Sequence, residues 1–434
     1  MFYQNVYLRN VSALVICLLL TIAVSPAQAQ ESNEQTLSLD DIYQLVRNQS
    51  PAVQASKKSM NAKKGAVEQA SLRPNPKLKA EAENFGGNDQ FRGDQSLEHK
   101  YVLSYMFETW DKRERRTDVA RDGLKIARWK HRATLLDELT RARKAYYNVL
   151  AAQERLELRR ELVSLAEDGL ETVKQQVEAG KVSTLEQTKA RVERSKASIA
   201  LDRSQRKLAS ARQKLASIWG EDDLGGKRVT GSLEAPGDQS SDVDLDQNPI
   251  LRAMQQRIDQ LKSSVELAQA RSVPNVSVGG GYKSKRTADN PEGSFIVNIN
   301  VPLPLFDRNQ GRIKQTKQQM KEAKKQYDSM QSKLKARLSD ARETLKANRE
   351  EVNGLREDVI PGAQEAYEAS TEGFRAGKFD YLDVLDAQRT LFENRIQLIR
   401  SLKNYYQTQA EMERLTANVE FYQSLNFSWS DRNE

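Results

Sequence analysis

The amino-acid sequence predicts a mainly α-helical protein with a small transmembrane β-sheet, built as two similar halves. Three observations support this prediction. Similar segments recur about 197 residues apart, long stretches repeat apolar residues every seven positions, and four segments of about ten residues alternate apolar with polar side chains. The chain is therefore expected to form one elongated body rather than the two or three globular domains that its 434 residues would ordinarily suggest.

Residues 1–29 are predicted to be a secretory signal peptide. Arg9 supplies a positive charge, residues 11–24 are apolar, and residues 27–29 form an A-x-A cleavage site. The apolar stretch is too short to span a bilayer, which needs about 20 residues. The single cysteine, Cys17, follows Ile16 rather than the small residue that lipidation requires. We therefore expect a mature chain without a lipid anchor or disulfides.

Composition argues against nucleic-acid binding and against enzymatic chemistry. The 68 basic residues exceed the 60 acidic ones by eight, but the two signs alternate along helical segments, as on solvated helix faces. The two histidines, His99 and His131, have no metal-ligand spacing. The aspartates at 242, 244 and 246 lack the glycine and glutamate of a calcium loop. No catalytic, cofactor or metal site is predicted.

Each half is predicted to contain a short helix, two strands, a very long helix, a glycine corner and a returning helix. In the first half, 30–218, these are 51–72, 76–107, 111–178 and 183–218. In the second half, 249–416, they are 249–271, 275–303, 308–374 and 381–416. The two short helices begin with proline after a capping residue, at Ser50 and Asn248. Residues 219–248 form a linker and 417–434 a tail.

The long helices are predicted to pack side by side along their length. Apolar residues recur every seven positions from Leu135 to Val177, and from Ile313 to Leu334. The second series then shifts by four and continues from Leu338 to Val359. Such a heptad pattern indicates coiled-coil packing, and sixty-odd residues at about 1.5 Å each would form a rod of roughly 100 Å. An ordinary extended coiled coil would explain this feature alone.

The four strand segments decide between that alternative and a membrane protein. In 96–107 the odd positions from Leu97 to Phe107 are apolar or aromatic, except His99, whereas Glu98 and Lys100 lie on the other face. Apolar-out, polar-in segments of about ten residues are typical of transmembrane β-barrels, although a soluble amphipathic sheet remains an alternative. Four strands cannot close a barrel, and an open edge is not tolerated in lipid. Several chains would have to share one barrel.

The arrangement and several motifs resemble the TolC family of outer-membrane efflux ducts. The resemblance covers nearly the whole mature chain. Its CzcC-like heavy-metal branch is most similar, although "FETWDKRERR" stands where that branch usually has leucine-glycine-glycine-lysine-arginine. The motifs are "LSLDDIYQLVRNQSP" at 37–51, "LRPNPKLKAEAENFGG" at 72–87, "PLFDRNQGR" at 304–312 and "AGKFDYLDVLDAQ" at 376–388.

The resemblance implies a homotrimer with a twelve-stranded barrel in the outer membrane and a periplasmic α-barrel of long helices. The linker and tail would form a belt around its middle. A periplasmic membrane-fusion adaptor would join it to a proton-driven inner-membrane pump of the resistance-nodulation-division type. The expected function is export of divalent heavy-metal cations. Multidrug efflux and type I secretion are alternatives, and a soluble periplasmic coiled-coil scaffold is an alternative of another class.

The glycine corners are the candidate functional sites. Given the family resemblance, both corners are predicted to contact the adaptor, through Gly180, Lys181, Val182, Gly377, Lys378 and Phe379. The alternative is that these residues only form the turn. The first returning helix is expected to begin with a capping box of Ser183 and Glu186. The second is expected to have Asp380 as its N-cap and Asp383 three residues later, where negative charge suits the helix dipole. Asp386 lies one turn after Asp383, where the first half has Lys189. The resemblance implies that Asp383 and Asp386 form acidic rings at a periplasmic gate.

Overall fold

The computed structural model describes residues 36–84, 97–234, 245–286 and 290–417. The predicted signal peptide, the strand loop 86–95 and most of the tail lie outside these residues, as do parts of the linker and of the loop 284–294. Eight α-helices are described: α1 Leu39–Gln49, α2 Pro51–Ser71, α3 Lys112–Glu178, α4 Thr184–Ala216, α5 Pro249–Ala270, α6 Gln310–Gly354, α7 Ile360–Arg375 and α8 Tyr381–Thr416. The described strands are β1 Thr36–Leu37, β2 Lys77–Glu83, β3 Glu98–Phe107, β4 Arg228–Val229, β5 Val276–Arg286 and β6 Pro291–Asn300.

The two short helices of the repeats, α2 and α5, begin at a proline but are capped differently. Asn248 accepts hydrogen bonds from the N–H groups of Ile250 and Leu251, at 2.9 and 3.4 Å. Ser50 occupies the capping position of α2, but its hydroxyl makes no capping hydrogen bond. Ser50 is fully buried between α1 and α2. The repeat pattern did not predict α1. Ser50 is therefore buried between two helices and does not form the predicted capping hydrogen bond.

Strands β2, β3, β5 and β6 form one antiparallel sheet in the order β2-β3-β5-β6. The register places Tyr101 opposite Tyr282, and Tyr282 opposite Phe295. These aromatic residues share one face with Leu103 and Val297, and all of them are exposed, Phe295 to 90%. The opposite face is polar, with Lys100 bonded to a carboxylate oxygen of Glu83 at 2.7 Å. The strand alternation therefore produces an exposed apolar face, as predicted.

The long helix of the first half, α3, is continuous over 67 residues, but its counterpart is not. Between α6 and α7 the residues Leu355–Val359 form a π-helical turn, in which the Ile360 N–H donates to the Leu355 carbonyl. Pro361 follows at once and has no N–H to donate, which favours such a change of hydrogen-bond register. The turn also rotates the heptad seam: Leu355 is buried, whereas Val359, predicted to continue the seam, is 43% exposed.

The helices form two rows that share α3 and α6. Beside the sheet, α2 packs on α3, α3 on α5 and α5 on α6. Toward the corners, α4 packs on α3, α3 on α8, and α8 on α6 and α7. A large apolar cluster lies where α1 and the short β1–β4 pair cover α3 and α4, and includes Ile42, Val149 and Trp219. A second cluster lies near the glycine corners.

Among the described residues, no helix has an apolar stretch long enough to cross a bilayer.

Candidate functional site: the two glycine corners

The two glycine corners have the same backbone. Gly180 and Gly377 both have φ near +70°, a left-handed conformation that costs glycine little. In the first corner the Lys181 N–H donates to the Gln176 carbonyl at 2.9 Å, and in the second the Lys378 N–H donates to the Gly373 carbonyl at 2.8 Å. These bonds satisfy carbonyls at the end of each long helix, in the pattern of a Schellman motif. The sequence similarity of the corners therefore reflects a repeated helix end.

The helix after the first corner begins with a simple cap. Ser183 accepts a hydrogen bond from the Leu185 N–H at 3.1 Å. Glu186 does not reach back to Ser183 and instead pairs with Lys189 at 2.9 Å. The predicted capping box is therefore wrong here, because the lysine three residues ahead holds the glutamate along the helix surface.

The helix after the second corner begins as predicted, with Asp380 at the cap and Asp383 three residues later. The Asp380 N–H donates to Asp383 Oδ2 at 3.1 Å. A carboxylate in this first turn also interacts favourably with the helix dipole. Asp383 remains exposed, so it serves the helix start and still presents negative charge to solvent.

Asp386 lies one turn further along α8 and has no capping role. Its side chain is 66% exposed, and Oδ1 lies 3.5 Å from a guanidinium nitrogen of Arg389. Arg389 also lies 3.6 Å from Glu193 of α4. A surface ion pair of this length is weak, so the negative charge of Asp386 is only partly compensated. Asp383 and Asp386 therefore form an exposed acidic pair on one helix face.

The six predicted adaptor-contacting residues are not equally exposed. The two glycines and two lysines at the corners are exposed, whereas Val182 is half-buried against the corner cluster. Phe379 is 51% exposed, and its ring packs directly on Gly373 of α7. Any side chain at Gly373 would overlap this ring. The second corner thus presents an aromatic ring in a fixed position, which the first corner lacks.

Tyr381 connects the two hairpins behind the corners. It is buried with Val173 of α3 and Ala190 of α4, and its ring lies 5.4 Å from that of Phe374. Burial raises the pKa of Tyr381 to about 12. A methyl group at Gly169 would lie 3.0 Å from the Tyr381 hydroxyl, so α3 approaches closely. The α3–α4 and α7–α8 hairpins therefore share one apolar cluster next to the acidic pair.

At the other end of α8, an ion cluster joins this helix to α3. Lys144 and Arg414 each bind Glu411 at 2.5 Å, and Arg414 also lies 3.1 Å from Asp137. Burial alone would raise the pKa of Glu411, but the hydrogen bonds from Arg414 and Lys144 outweigh it and lower the pKa to about 2. The beginning and the end of α8 are therefore both fixed against the first half.

Sequence reasoning missed four residues that organise these sites. Gly373 could have been noticed as a glycine inside a helical pattern, which often marks close packing. Arg389 follows Asp386 at a spacing that pairs charges on a helix. The contact between Arg143 and Glu413, 270 residues apart, had no local signal. Among the described residues, no group of three or more potential metal-binding side chains lies together.

The chain matches the sequence profile of the outer membrane efflux protein family twice, over residues 42–221 and 242–418. It is 30% identical to the cobalt-zinc-cadmium resistance protein CzcC of Cupriavidus metallidurans, covering 87% of this chain and 90% of that protein. The nickel-cobalt-cadmium resistance protein NccC of Alcaligenes xylosoxydans is 24% identical, covering 72% of this chain and 70% of that protein.

A crystal structure of a membrane protein from Pseudomonas aeruginosa has the same fold, with a TM-score of 0.74 and 17% identity, covering 87% of this chain and 93% of that one. The family is an efflux channel of the outer membrane, and not an enzyme. The profile match and the shared fold confirm the predicted TolC-type fold and the predicted outer-membrane efflux channel, in place of the alternative soluble scaffold. The repeat, the exposed apolar sheet face and the profile match agree: the chain belongs to the outer membrane efflux protein family.

Proposed function

We propose that this outer-membrane efflux channel works as a homotrimer that exports divalent heavy-metal cations. The metal specificity is supported by the two relatives named for resistance to cobalt, zinc, cadmium and nickel. The observation on which the proposal most depends is the exposed acidic pair Asp383 and Asp386, which suits a cation path. The duct itself performs no chemistry; it provides a route.

The trimer is supported by the unpaired edges of the sheet. β2 and β6 are the edge strands of the described four-stranded sheet, and backbone groups at an open edge find no partner in lipid. Three copies, joined edge to edge, would form a closed barrel of twelve strands. Helix α4 offers a second contact surface, because Leu185, Val192 and Ile199 are spaced by seven residues and are 58%, 47% and 60% exposed. Native mass spectrometry of the detergent-extracted protein tests this: a monomer would contradict the proposal.

In the trimer, Asp383 and Asp386 would form two acidic rings at the periplasmic entrance. Three copies of each carboxylate near one axis attract cations and repel one another, which favours binding of divalent ions between them. Because Asp383 also accepts the Asp380 N–H, we expect Asp386 to contribute more of the cation affinity. The positive charge of Arg389 next to Asp386 would limit the affinity for cations, so that bound ions can leave.

We further propose that the corners contact a periplasmic membrane-fusion adaptor through Gly180, Lys181, Val182, Gly377, Lys378 and Phe379. Their exposure at the ends of two hairpins supports this, as does the fixed ring of Phe379. The adaptor would join the duct to an inner-membrane resistance-nodulation-division pump. Charge reversal at Lys181 and Lys378 tests the contact: unchanged adaptor binding and unchanged resistance would contradict it.

In this proposal residues 1–29 are removed during export, 30–218 and 249–416 are the two repeats, and 219–248 with 417–434 form a belt. Gene deletion tests the cargo. We expect the deletion strain to become sensitive to cobalt, zinc, cadmium or nickel salts, and the intact gene to restore resistance. Sensitivity to drugs but to none of these metals would favour a multidrug duct. A secretion defect alone would favour type I secretion.

A further inference from the structure

A groove of about 580 Å³ lies between α5 and the first turns of α6. Its floor is apolar, formed by half-buried Val265, Ile313 and Met320. Four exposed lysines line it, and it is called the lysine groove below: Lys262, Lys314, Lys317 and Lys321. A basic rim above an apolar floor suits an amphipathic anion.

The positive charge of the lysine groove is not neutralised within the described part of the chain. None of its four lysines has an ion-pair or hydrogen-bond partner among the described residues. Residues 310–321 contain no aspartate or glutamate. The one carboxylate in the groove, Glu266, is bound to Arg115 of α3 at 2.8 Å. The groove therefore lacks an internal counter-charge for its lysines.

The helical geometry of α5 indicates that the lysine groove faces away from the polar face of the sheet. A separate cavity of about 490 Å³ opens on the polar face, lined there by Ser277 and Asn300, and includes Arg271 of α5. Lys262 and Arg271 are about two and a half helical turns apart, so they project in opposite directions from α5. The lysine groove thus faces away from the polar, channel-forming side.

The lysine groove is also close to the end of the sheet. Helix α6 begins ten residues after β6, and the connection exposes Leu303, Leu305 and Phe306 to 75%, 66% and 91%. Lys314 lies about 6 Å along the helix from Gln310, within the depth of a lipid headgroup layer. Side chains of α6 lean toward its N-terminus, and therefore toward the sheet. Flexible lysine stems extend this reach.

We propose that the lysine groove binds the phosphate headgroup of an anionic phospholipid from the adjacent membrane leaflet. The lysine ammonium groups would bind the phosphate, and Val265, Ile313 and Met320 would contact the glycerol and the first acyl carbons. Basic pockets beside membrane-spanning segments bind lipid headgroups by this chemistry. The inference rests on the outer-membrane position of the sheet, but on neither the metal cargo nor the acidic pair.

Lipid retention by the purified full-length protein tests the proposal. The protein is reconstituted with phosphatidylglycerol or phosphatidylcholine, extracted, and analysed by native mass spectrometry. We expect the triple variant Lys314→Gln, Lys317→Gln, Lys321→Gln to retain phosphatidylglycerol at least about tenfold less than the wild type. The control variant Lys324→Gln, Lys333→Gln, Lys335→Gln removes the same charge from exposed positions of α6 outside the groove, and should retain it normally.

Several outcomes would overturn the proposal. These are equal loss in both triple variants, equal retention of phosphatidylcholine, or displacement of the lipid by inorganic phosphate. Dissociation of the oligomer in the groove variant alone would assign the lysines to a contact between copies. An altered conductance with normal lipid retention would place them in the channel.

A second variant, Lys262→Gln, changes the α5 wall of the groove and should lower lipid retention without affecting α6. A metal-resistance phenotype is not needed for any of these readouts.

Discussion

The two glycine corners share a backbone and differ in side chains. Both helix ends place glycine at φ near +70° and form the same terminal hydrogen bonds. After the first corner, Glu186 and Lys189 neutralise each other at 2.9 Å. After the second, Asp383 and Asp386 stay exposed, and Phe379 is held on Gly373. The comparison indicates that the backbone requirement was kept in both halves, whereas the charge and the aromatic ring belong to the second.

The long helices that lead to these corners also differ between the two halves. α3 runs without interruption to the first corner, whereas a π-helical turn at Leu355–Val359 precedes the second. π-helical turns inside α-helices are frequently found at functional sites. The half that contains the acidic corner therefore also has the less regular long helix.

The largest effect is expected from closing the space under Phe379. Gly373→Ala would force the ring off α7 or strain the helix, at a cost of about 3 kcal/mol. Hydrogen exchange at the second corner should increase, and export should fall. Gln176→Ala at the equivalent position of the first corner is the matched control. Equal exchange in both variants would show that the aromatic contact does not distinguish the corners.

A smaller effect is expected at the far end of α8, where Glu411 binds Lys144 and Arg414. Glu411→Gln should lower the free energy of unfolding by about 2 kcal/mol near neutral pH. Because the pKa of Glu411 is lowered to about 2, this contribution is complete above its ordinary pKa and is lost as the pH falls toward 2.

Thermal unfolding as a function of pH measures this difference. The gap between wild type and Glu411→Gln should narrow below about pH 4.5. Glu350→Gln, which removes an exposed ion pair with Lys346, should have almost no effect. A gap that does not depend on pH would contradict the proposed contribution of the ion cluster.

The smallest effects are expected at the helix starts themselves. Ser183→Ala and Asp380→Ala should each cost about 1 kcal/mol, because each removes a capping residue. The comparison predicts that only Asp380→Ala also changes the potential around the acidic pair, because it removes a negative charge three residues before Asp383, whereas Ser183 is uncharged. The backbone N–H of residue 380 that bonds Asp383 is kept in this variant. Chemical denaturation measures both costs, and pore conductance should change only in Asp380→Ala. A conductance change in Ser183→Ala as well would remove the distinction.

The sequence predicted features that depend on local pattern. Heptad spacing predicted the long helices, alternation predicted the exposed apolar sheet face, and the order of residues at 380–383 predicted the second helix start. Contacts between distant segments were not accessible in this way. The burial of Ser50 behind α1 and the pairing of Arg143 with Glu413 depend on tertiary packing. Phe379 and Gly373 are only six residues apart, but the periodic pattern does not show which side chain packs on the glycine. Glu186 had two local partners available, and the pattern did not decide between them.

The central claim is that the acidic pair of the second corner makes the entrance favour divalent cations. The most direct test is the conductance of the reconstituted pore during a titration with cobalt or zinc, for the wild type and for Asp386→Ala. The matched control is Glu178→Ala, an exposed acid at the first corner. We predict that Asp386→Ala weakens block by the metal about tenfold, equivalent to about 1.4 kcal/mol, and that the control leaves it unchanged. Equal block in all three proteins would contradict the claim.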